Sequence, residues 1–590
     1  MNKNKLKIQS LSLAITSAVF SLLCINYHFD ISLLAPVLGL LYSALLYYFG
    51  YNSVFCKNQA KSISIYRELL QYEPFVLLIC FVLRRAGANG APFALDFITV
   101  ILWCVSSGLS LLILHYLNIK RIGSIDPSWH KYLESHSLSS YKGARRGLLE
   151  TLSWVDALVQ AVFMVLLLNI FLVQLYEIPS ESMVPEFLIK DRVVVFKTLS
   201  GPKFPLSDVG LPYLKRYKRG DIVVFRNPHY SDDRKSEVRT FMSQIIYMLT
   251  LTRVNINVDE DGNPKADPLV KRVTGVPGEQ LMMQDGILYH RTSKSDEWSV
   301  VEDDSRWACW NLNEVRAELR RNNQIQDYPL SQADYEQMLE CEQERRELDV
   351  QLVRSRLTGL AERFDRAWRI YGRHPDSGGL EKFFNKEGMF EYSIFSKHYN
   401  CATRLLNSTE GAQWFRAFAL DWASSIKTDF NGNLYEEANY KLNLMIKQKI
   451  AQIIVRDAEL IVNGTFENVY STDAQLLEYM KEAQKLNDYV FLIDRRSFGA
   501  FPADTEDGKP QYIPAGCYFM MGDNRFNSLD MRHSYTPKLT ELTKYDKYSV
   551  TYYSNLEPQY VPMRRMLGTT SYRFWPVNRR GVPGHTGMRK

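Results

Sequence analysis

Apolar residues fill the first third of the chain in long runs, and beyond residue 176 they shrink to short stretches bounded by polar side chains. Residues 31–51, 95–119 and 154–176 are nearly charge-free and rich in Leu, Val, Ile and Phe. A bilayer core takes about 20 such residues in helical form, so each run predicts a membrane span. Residues 6–27 are also long enough, with Lys3, Lys5 and Lys7 in front, as in a cleavable leader. A second span follows almost at once, which favours an uncleaved anchor. The segment 69–83 is apolar only from Pro74 onward and has Glu73 beside it. Lys- and Arg-rich flanks stay cytoplasmic. Five spans keep both residues 1–7 and the loop carrying Lys120, Arg121, Lys142, Arg145 and Arg146 inside, whereas four do not. Five are therefore expected, with Arg84 and Arg85 as exceptions on the outer side and everything after residue 176 outside.

The later pattern changes period. Residues 191–197 (DRVVVFK), 219–228 (RGDIVVFRNP) and 269–273 (LVKRV) are short Val/Ile/Phe runs with polar ends, the mark of buried strands. From 286 to 510 the sequence reads as helical. Ser331 to Asp334 form a capping-box-like start, followed by a charged amphipathic run to Tyr371, stopped by Gly372 and Pro375. Unbroken, that helix would reach about 60 Å. Further helical patterns occupy 411–426, 436–462 and 473–486. A smaller insert, 229–268, holds an apolar stretch at 241–251 that fits either the membrane interface or core packing.

Composition adds mainly exclusions. At 590 residues more than one packed unit is expected. A mean hydropathy of −0.23 averages over the two dissimilar parts. The net charge of +6 is scattered, so nucleic acid is not indicated. The eight cysteines lack CxxC spacing, and the ten histidines form no HExxH, so neither a disulfide scaffold nor a metal site is expected.

Candidate chemistry begins just after the last apolar run. Residues 178–185 (IPSESMVP) form a Pro-bounded turn carrying Ser180 and Ser182. Alone, such a turn is an ordinary linker. Lys271 and Arg272, however, sit in the middle of an apolar strand. Desolvation lowers a lysine pKa and yields a neutral amine able to take a proton from a serine hydroxyl, the Ser-Lys form of nucleophile and base. A tight turn follows at 275–279, and far downstream residues 514–532 combine an apolar strand with a loop dense in Gly, Asp, Asn, Ser and Arg. The S-x-x-K matches at Ser139, Ser200 and Ser424 lack the SDN and KTG elements of the penicillin-binding signature and are chance occurrences.

PSESM, DRVVVFK, RGDIVVF, VKRVTGVPG and GDNRFNSLDMR, in order behind an apolar run, resemble the five boxes of bacterial type I signal peptidases, and the stretch 561–580 resembles that family's final strand and W-P-x-x-R ending. The resemblance covers 179–228, 269–289 and 511–582. It implies Ser182 as nucleophile, Lys271 as general base, and an oxyanion hole from the Ser180 hydroxyl and the Ser182 backbone N–H. Ser528 would hold the lysine, and Asp530 with Arg532 would brace the loop near Gly522. Ile178, Met183, Phe187, Leu269 and Val270 would line shallow pockets for small residues at −1 and −3. Arg272 would be structural. Glu181, Glu186 and Phe526 depart from the family pattern; Glu181 would raise the lysine pKa unless turned to solvent.

The expected architecture is a helical membrane region (1–152), a final anchor (153–177) and a mostly antiparallel β catalytic domain in two parts (178–285 and 511–590) around a mainly helical insertion (286–510). The expected function is removal of N-terminal signal peptides from preproteins at the outer face of a bacterial cytoplasmic membrane, without metal or cofactor. The insertion reads either as a cap for preproteins or a partner, or as an accessory domain. The alternatives are a self-cleaving repressor-type peptidase and an inactive scaffold or receptor working through the insertion.

Overall fold

The structure is a computed structural model that describes residues 2–25, 30–87, 92–137, 140–230, 233–250, 265–320, 330–375, 398–425, 432–465 and 472–584, with a few isolated positions between them. Among the described residues, four helices, Lys3–Leu23, Ile31–Cys56, Phe93–Tyr116 and Gly143–Phe171, are long and apolar enough to cross a membrane. A further helix, Ser62–Gly87, packs among the first three with Pro74 in its middle. It matches them in length, but Arg67, Glu68, Glu73, Arg84 and Arg85 dilute its apolar character. Small residues bring these backbones together. A Cβ on Gly39 would collide with Ser21, and one on Gly50 with the Tyr66 ring.

The helices alternate in direction. At one end the Lys3 ammonium binds Asn58 (2.7 Å) and Asp126 (2.5 Å) beside the Trp129 ring. At the other end Cys24, Ala35, Phe81 and Val100 share one cluster, with Leu167 and Phe171 packed against it. The last helix stops at Phe171, short of the expected 176. Residues 173–177 are drawn into a strand instead, because their backbone groups pair with Arg192–Phe196.

Thirteen strands follow among the described residues: β1 (Val173–Glu177), β2 (Arg192–Phe196), β3 (Ile222–Phe225), β4 (Leu269–Gly275), β5 (Glu279–Gln284), β6 (Ile287–Thr292), β7 (Ser295–Val300), β8 (Phe498–Phe501), β9 (Cys517–Met521), β10 (His533–Glu541), β11 (Thr551–Leu556), β12 (Val561–Pro562) and β13 (Met566–Trp575). A seven-stranded antiparallel sheet has the order β1-β2-β13-β3-β4-β9-β12, a four-stranded sheet the order β7-β6-β5-β8, and β10 pairs β11. The β5–β6 turn places Asp285 and Gly286 at positive φ, as a two-residue hairpin requires. This hairpin straddles the boundary expected at 286, so three strands assigned to the insertion belong to a sheet with β5.

Helices Gln332–Arg346, Val350–Tyr371, His398–Asn407, Gly411–Leu420, Leu434–Val462 and Ala474–Val490 lie in the segment between β7 and β8. The single long helix expected from 331 to 371 is broken. It starts at Ser331, whose hydroxyl accepts from Asp334 N, but Asp349 caps a second helix by accepting from Gln351 N and Leu352 N. Within the smaller insert, Arg234–Leu249 is a helix beside the last apolar helix; part of 241–251 lies outside the described residues. One core joins the sheets to the helices. Val223, Phe225, Val273, Leu281, Met283 and Phe519 bury together with Leu357, Phe364, Phe415, Tyr440, Ile450 and Ile454.

Candidate active site

The turn after β1 is closed by the exchange of hydrogen bonds between Ile178 and its far end: Ile178 N donates to Asp191 O and Lys190 N to Ile178 O, both at 2.8 Å. Ile178, Met183 and Phe187 are buried against Val193, Val195, Ile222 and Val224. That packing holds Ser182 half-buried at the turn's rim, and Ser180 exposed, its hydroxyl 3.4 Å from Ser182 Oγ.

Lys271 lies on β4, between β3 and β9, directly across from Val223. A central strand has no free edge, so its side chain is buried, at 3% exposure. Lys271 Nζ reaches Ser182 Oγ at 2.6 Å. Burial pulls its pKa down to about 8; Asp530 and Asp523 oppose the fall and Arg532 adds to it. Arg272, next along the strand, points to the opposite face. There it donates to both Asp523 oxygens (2.7 and 2.5 Å) and to Gly220 O, with Glu186 at 3.7 Å and the Trp307 ring beneath it. These ties occupy its donors on structural partners.

The loop after β9 locks the two halves together. Asn524 N donates to Ser182 O (3.2 Å), and Asp530 accepts from Gly522 N (2.9 Å) and from the Arg532 guanidinium (2.8 and 3.0 Å). Burial would raise the Asp530 pKa, but Arg532, His533 and the Gly522 N–H outweigh it and hold the carboxyl well below the usual range. Gly522 has no alternative, since a Cβ there would strike Ser182 O and the Ser528 side chain. Ser528 Oγ is buried without a hydrogen-bond partner among the described residues, so in this geometry it does not hold Lys271 as expected.

Two further expectations are revised. Glu181 does not turn to solvent: it is buried, because Asn524 Nδ2 donates to its backbone carbonyl (3.2 Å) and Asn527 Nδ2 approaches its carboxylate (3.4 Å). The five expected pocket residues divide. Ile178, Met183, Phe187 and Val270 share one cluster, whereas Leu269 packs on the other face of the sheet with the main core.

Supports from the helical part carry no signal in the sequence patterns. Asp304 pairs with the buried Arg525 (2.7 and 3.0 Å), Cys309 exchanges backbone hydrogen bonds with Asp523 and Arg525, and Arg495 O accepts from Arg532 (2.6 Å). Phe526, one of the departures from the family pattern, packs edge-on against Trp310 and Tyr335. Its apolar character answers a surface supplied by residues 286–510. Arg573 donates to Glu186 O, and Arg579 pairs with Asp191, tying β13 to the serine turn.

Residues 151–342 and 451–575, more than half the chain, match the model of the family described as signal peptidase, peptidase S26. The chain belongs to this family. Its S26 match takes in most of the last apolar helix, Ser182, Lys271 and the loop after β9, and leaves 1–150, 343–450 and 576–590 outside. Among similar proteins, the signal peptidase I of Pseudomonas aeruginosa is 27% identical over 187 residues, 29% of this chain and 64% of that protein. That of Bacillus licheniformis is 27% identical over 150 residues, 25% and 55% of the two chains. That of Buchnera aphidicola from Baizongia pistaciae is 38% identical over 68 residues, 12% and 22%. The chain thus spans less than two thirds of the length of each of these relatives.

Proposed function

We propose that the protein is a membrane-bound serine endopeptidase that removes N-terminal signal peptides from exported preproteins, through Ser182 and Lys271. The observation that carries this is the 2.6 Å approach of a buried Lys271 amine, with its pKa near 8, to Ser182 Oγ. Near neutral pH a fraction of the amine is uncharged and accepts the hydroxyl proton. The oxygen attacks the scissile carbonyl, and the same amine then protonates the departing nitrogen and activates the water that releases the acyl group. The Ser180 hydroxyl and the Ser182 N–H would share the developing oxyanion.

Ile178, Met183, Phe187 and Val270, which pack in one cluster on the serine turn and β4, are the residues that would shape shallow pockets for small residues at −1 and −3. The preproteins share the bilayer with the enzyme, at the outer face of a bacterial cytoplasmic membrane, in a five-crossing topology. Arg84 and Arg85 are tolerated at the outer end because Asp96 lies 2.5 and 3.4 Å from them. No residue role in this scheme calls for a metal or cofactor.

The test is cleavage of a preprotein with an Ala-x-Ala site by the full-length protein in liposomes. Cleavage after the second alanine, abolished in Ser182→Ala and Lys271→Ala, is expected. An intact substrate under all conditions would turn attention to the helical part as the working element.

A further inference from the structure

Glu73 sits near the middle of Ser62–Gly87, a helix packed against Lys3–Leu23 and Phe93–Tyr116, and it is fully buried. Three hydroxyls from those two neighbours, equally buried, gather around its carboxylate. Ser17 Oγ stands 3.4 Å from Glu73 Oε1, and Ser106 and Ser110, one turn apart on Phe93–Tyr116, approach the same group. Among the described residues neither Glu73 Oε2 nor Ser110 Oγ has a hydrogen-bond partner. The arginines of its own helix do not compensate the carboxylate. Arg84 stands eleven residues on, about 16 Å along the axis, and is held by Asp96 at 2.5 Å. Arg67 lies six residues back, about 9 Å along the axis and on another face.

The next residue adds an oxygen. Pro74 has no N–H, so Leu70 O, one turn back on the face of Glu73, lacks the donor that an unbroken helix supplies. Trp103 Nε1 donates to Pro74 O (2.8 Å) and Tyr42 to Leu69 O (2.7 Å), which fixes the backbone on either side of Glu73.

A separation of 3.4 Å is long for an O–H···O hydrogen bond, which spans about 2.5–3.0 Å. It suits two oxygens at right angles around a cation of the size of Ca2+ or Na+, where metal–oxygen distances of about 2.3–2.6 Å set neighbouring ligands about 3.3–3.7 Å apart. Charge decides between the two ions. One carboxylate balances one positive charge, and the hydroxyls contribute none, whereas Ca2+ sites gather several carboxylates. We infer that Glu73, Ser17, Ser106 and Ser110 form a binding site for a small monovalent cation, Na+, inside the helix bundle, with Leu70 O as a further ligand. The ion turns an uncompensated charge in an apolar bundle into a neutral cluster and ties three helices together at one point. Nothing in the site depends on the peptidase reading.

The experiment uses the full-length protein, purified in detergent in choline buffer. Radioactive Na+ is titrated against it, and thermal unfolding is followed in NaCl, KCl and choline chloride of equal ionic strength. Saturable binding of Na+ is expected, with a melting temperature about 4 °C higher at a hundredfold excess over Kd than in choline. KCl gives a smaller shift, because its cation is too wide for oxygens 3.4 Å apart. Glu73→Gln, which keeps the shape of the side chain and removes its charge, abolishes both signals. Ser110→Ala weakens binding about tenfold, and as the removal of one hydroxyl it decides the matter should Glu73→Gln fail to fold. Glu150→Gln, at an exposed position, leaves binding intact. The absence of saturable Na+ binding, equal melting temperatures in NaCl and choline, an equal shift in KCl, or binding undiminished in Glu73→Gln or Ser110→Ala overturns the site. Glu73 is then a neutral carboxyl that joins the helices by hydrogen bonds alone.

Discussion

At the scale of single residues, Lys271 shows how an unfavourable placement is put to use. A lysine on a central strand folds with a pKa of about 8, so between about pH 8 and its ordinary value near 10.5 the folded state binds fewer protons than the unfolded one, and stability rises with pH. Below pH 8 the amine is charged in both states and the folded protein bears the whole cost, on the order of 3 kcal/mol. Lys271→Met is therefore expected to abolish cleavage while raising the melting temperature at pH 7, and thermal scans of purified protein check it. Cleavage by the unmodified protein is expected to climb with pH and level off above about 8, because only the neutral amine accepts the serine proton; an initial-rate profile measures the limb.

Residue chemistry of this kind was legible in the sequence because it is local: two hydroxyls in a Pro-bounded turn, and a lysine inside an apolar strand. Ser528 was not legible in the same way. The family pattern put it on the lysine, but its hydroxyl meets Gly522 instead.

At the scale of elements, residues 286–510 take part in the catalytic unit. Arg525 is fully buried, and its carboxylate partner Asp304 comes from the segment after β7. Removing one partner of a buried pair leaves an uncompensated charge, at a cost of about 3–5 kcal/mol. Asp304→Ala should accordingly lower the urea midpoint and cut peptidase activity together. Excision of the helices should give unfolded protein, since Leu357, Phe364 and Ile454 complete the core beneath Val223 and Phe519. Helix content here was readable from 3.6-residue periodicity. The Asp304–Arg525 pair was not, because a contact across more than two hundred residues leaves no periodic trace. The break at Asp349 was marked by a capping residue within a run whose charge pattern reads as continuous.

For the whole molecule, the proposed five-crossing topology puts the loop 117–142 and the β sheets on opposite sides of one bilayer. In spheroplasts, a membrane-impermeant maleimide is expected to label Ser295→Cys in a cysteine-free background and to leave Ser124→Cys unlabelled until the membrane is permeabilised. Labelling of both from outside would reverse the placement of Ser62–Gly87 as a crossing. That helix falls short of the others in hydropathy, but its Glu73 and Arg84 are both buried, a placement that only three-dimensional packing reveals.

Strand order carries a consequence for the timing of synthesis. β13 sits between β2 and β3, and β9 flanks β4, so the sheet bearing Lys271 is incomplete until the last of its strands in chain order has been made. During the several hundred residues of translation that separate Ser182 from β13, the proposed nucleophile and base belong to an open half-sheet. On that assignment the nascent chain is expected to stay inert toward neighbouring chains, its own apolar leading segment included, until its assembly is finished.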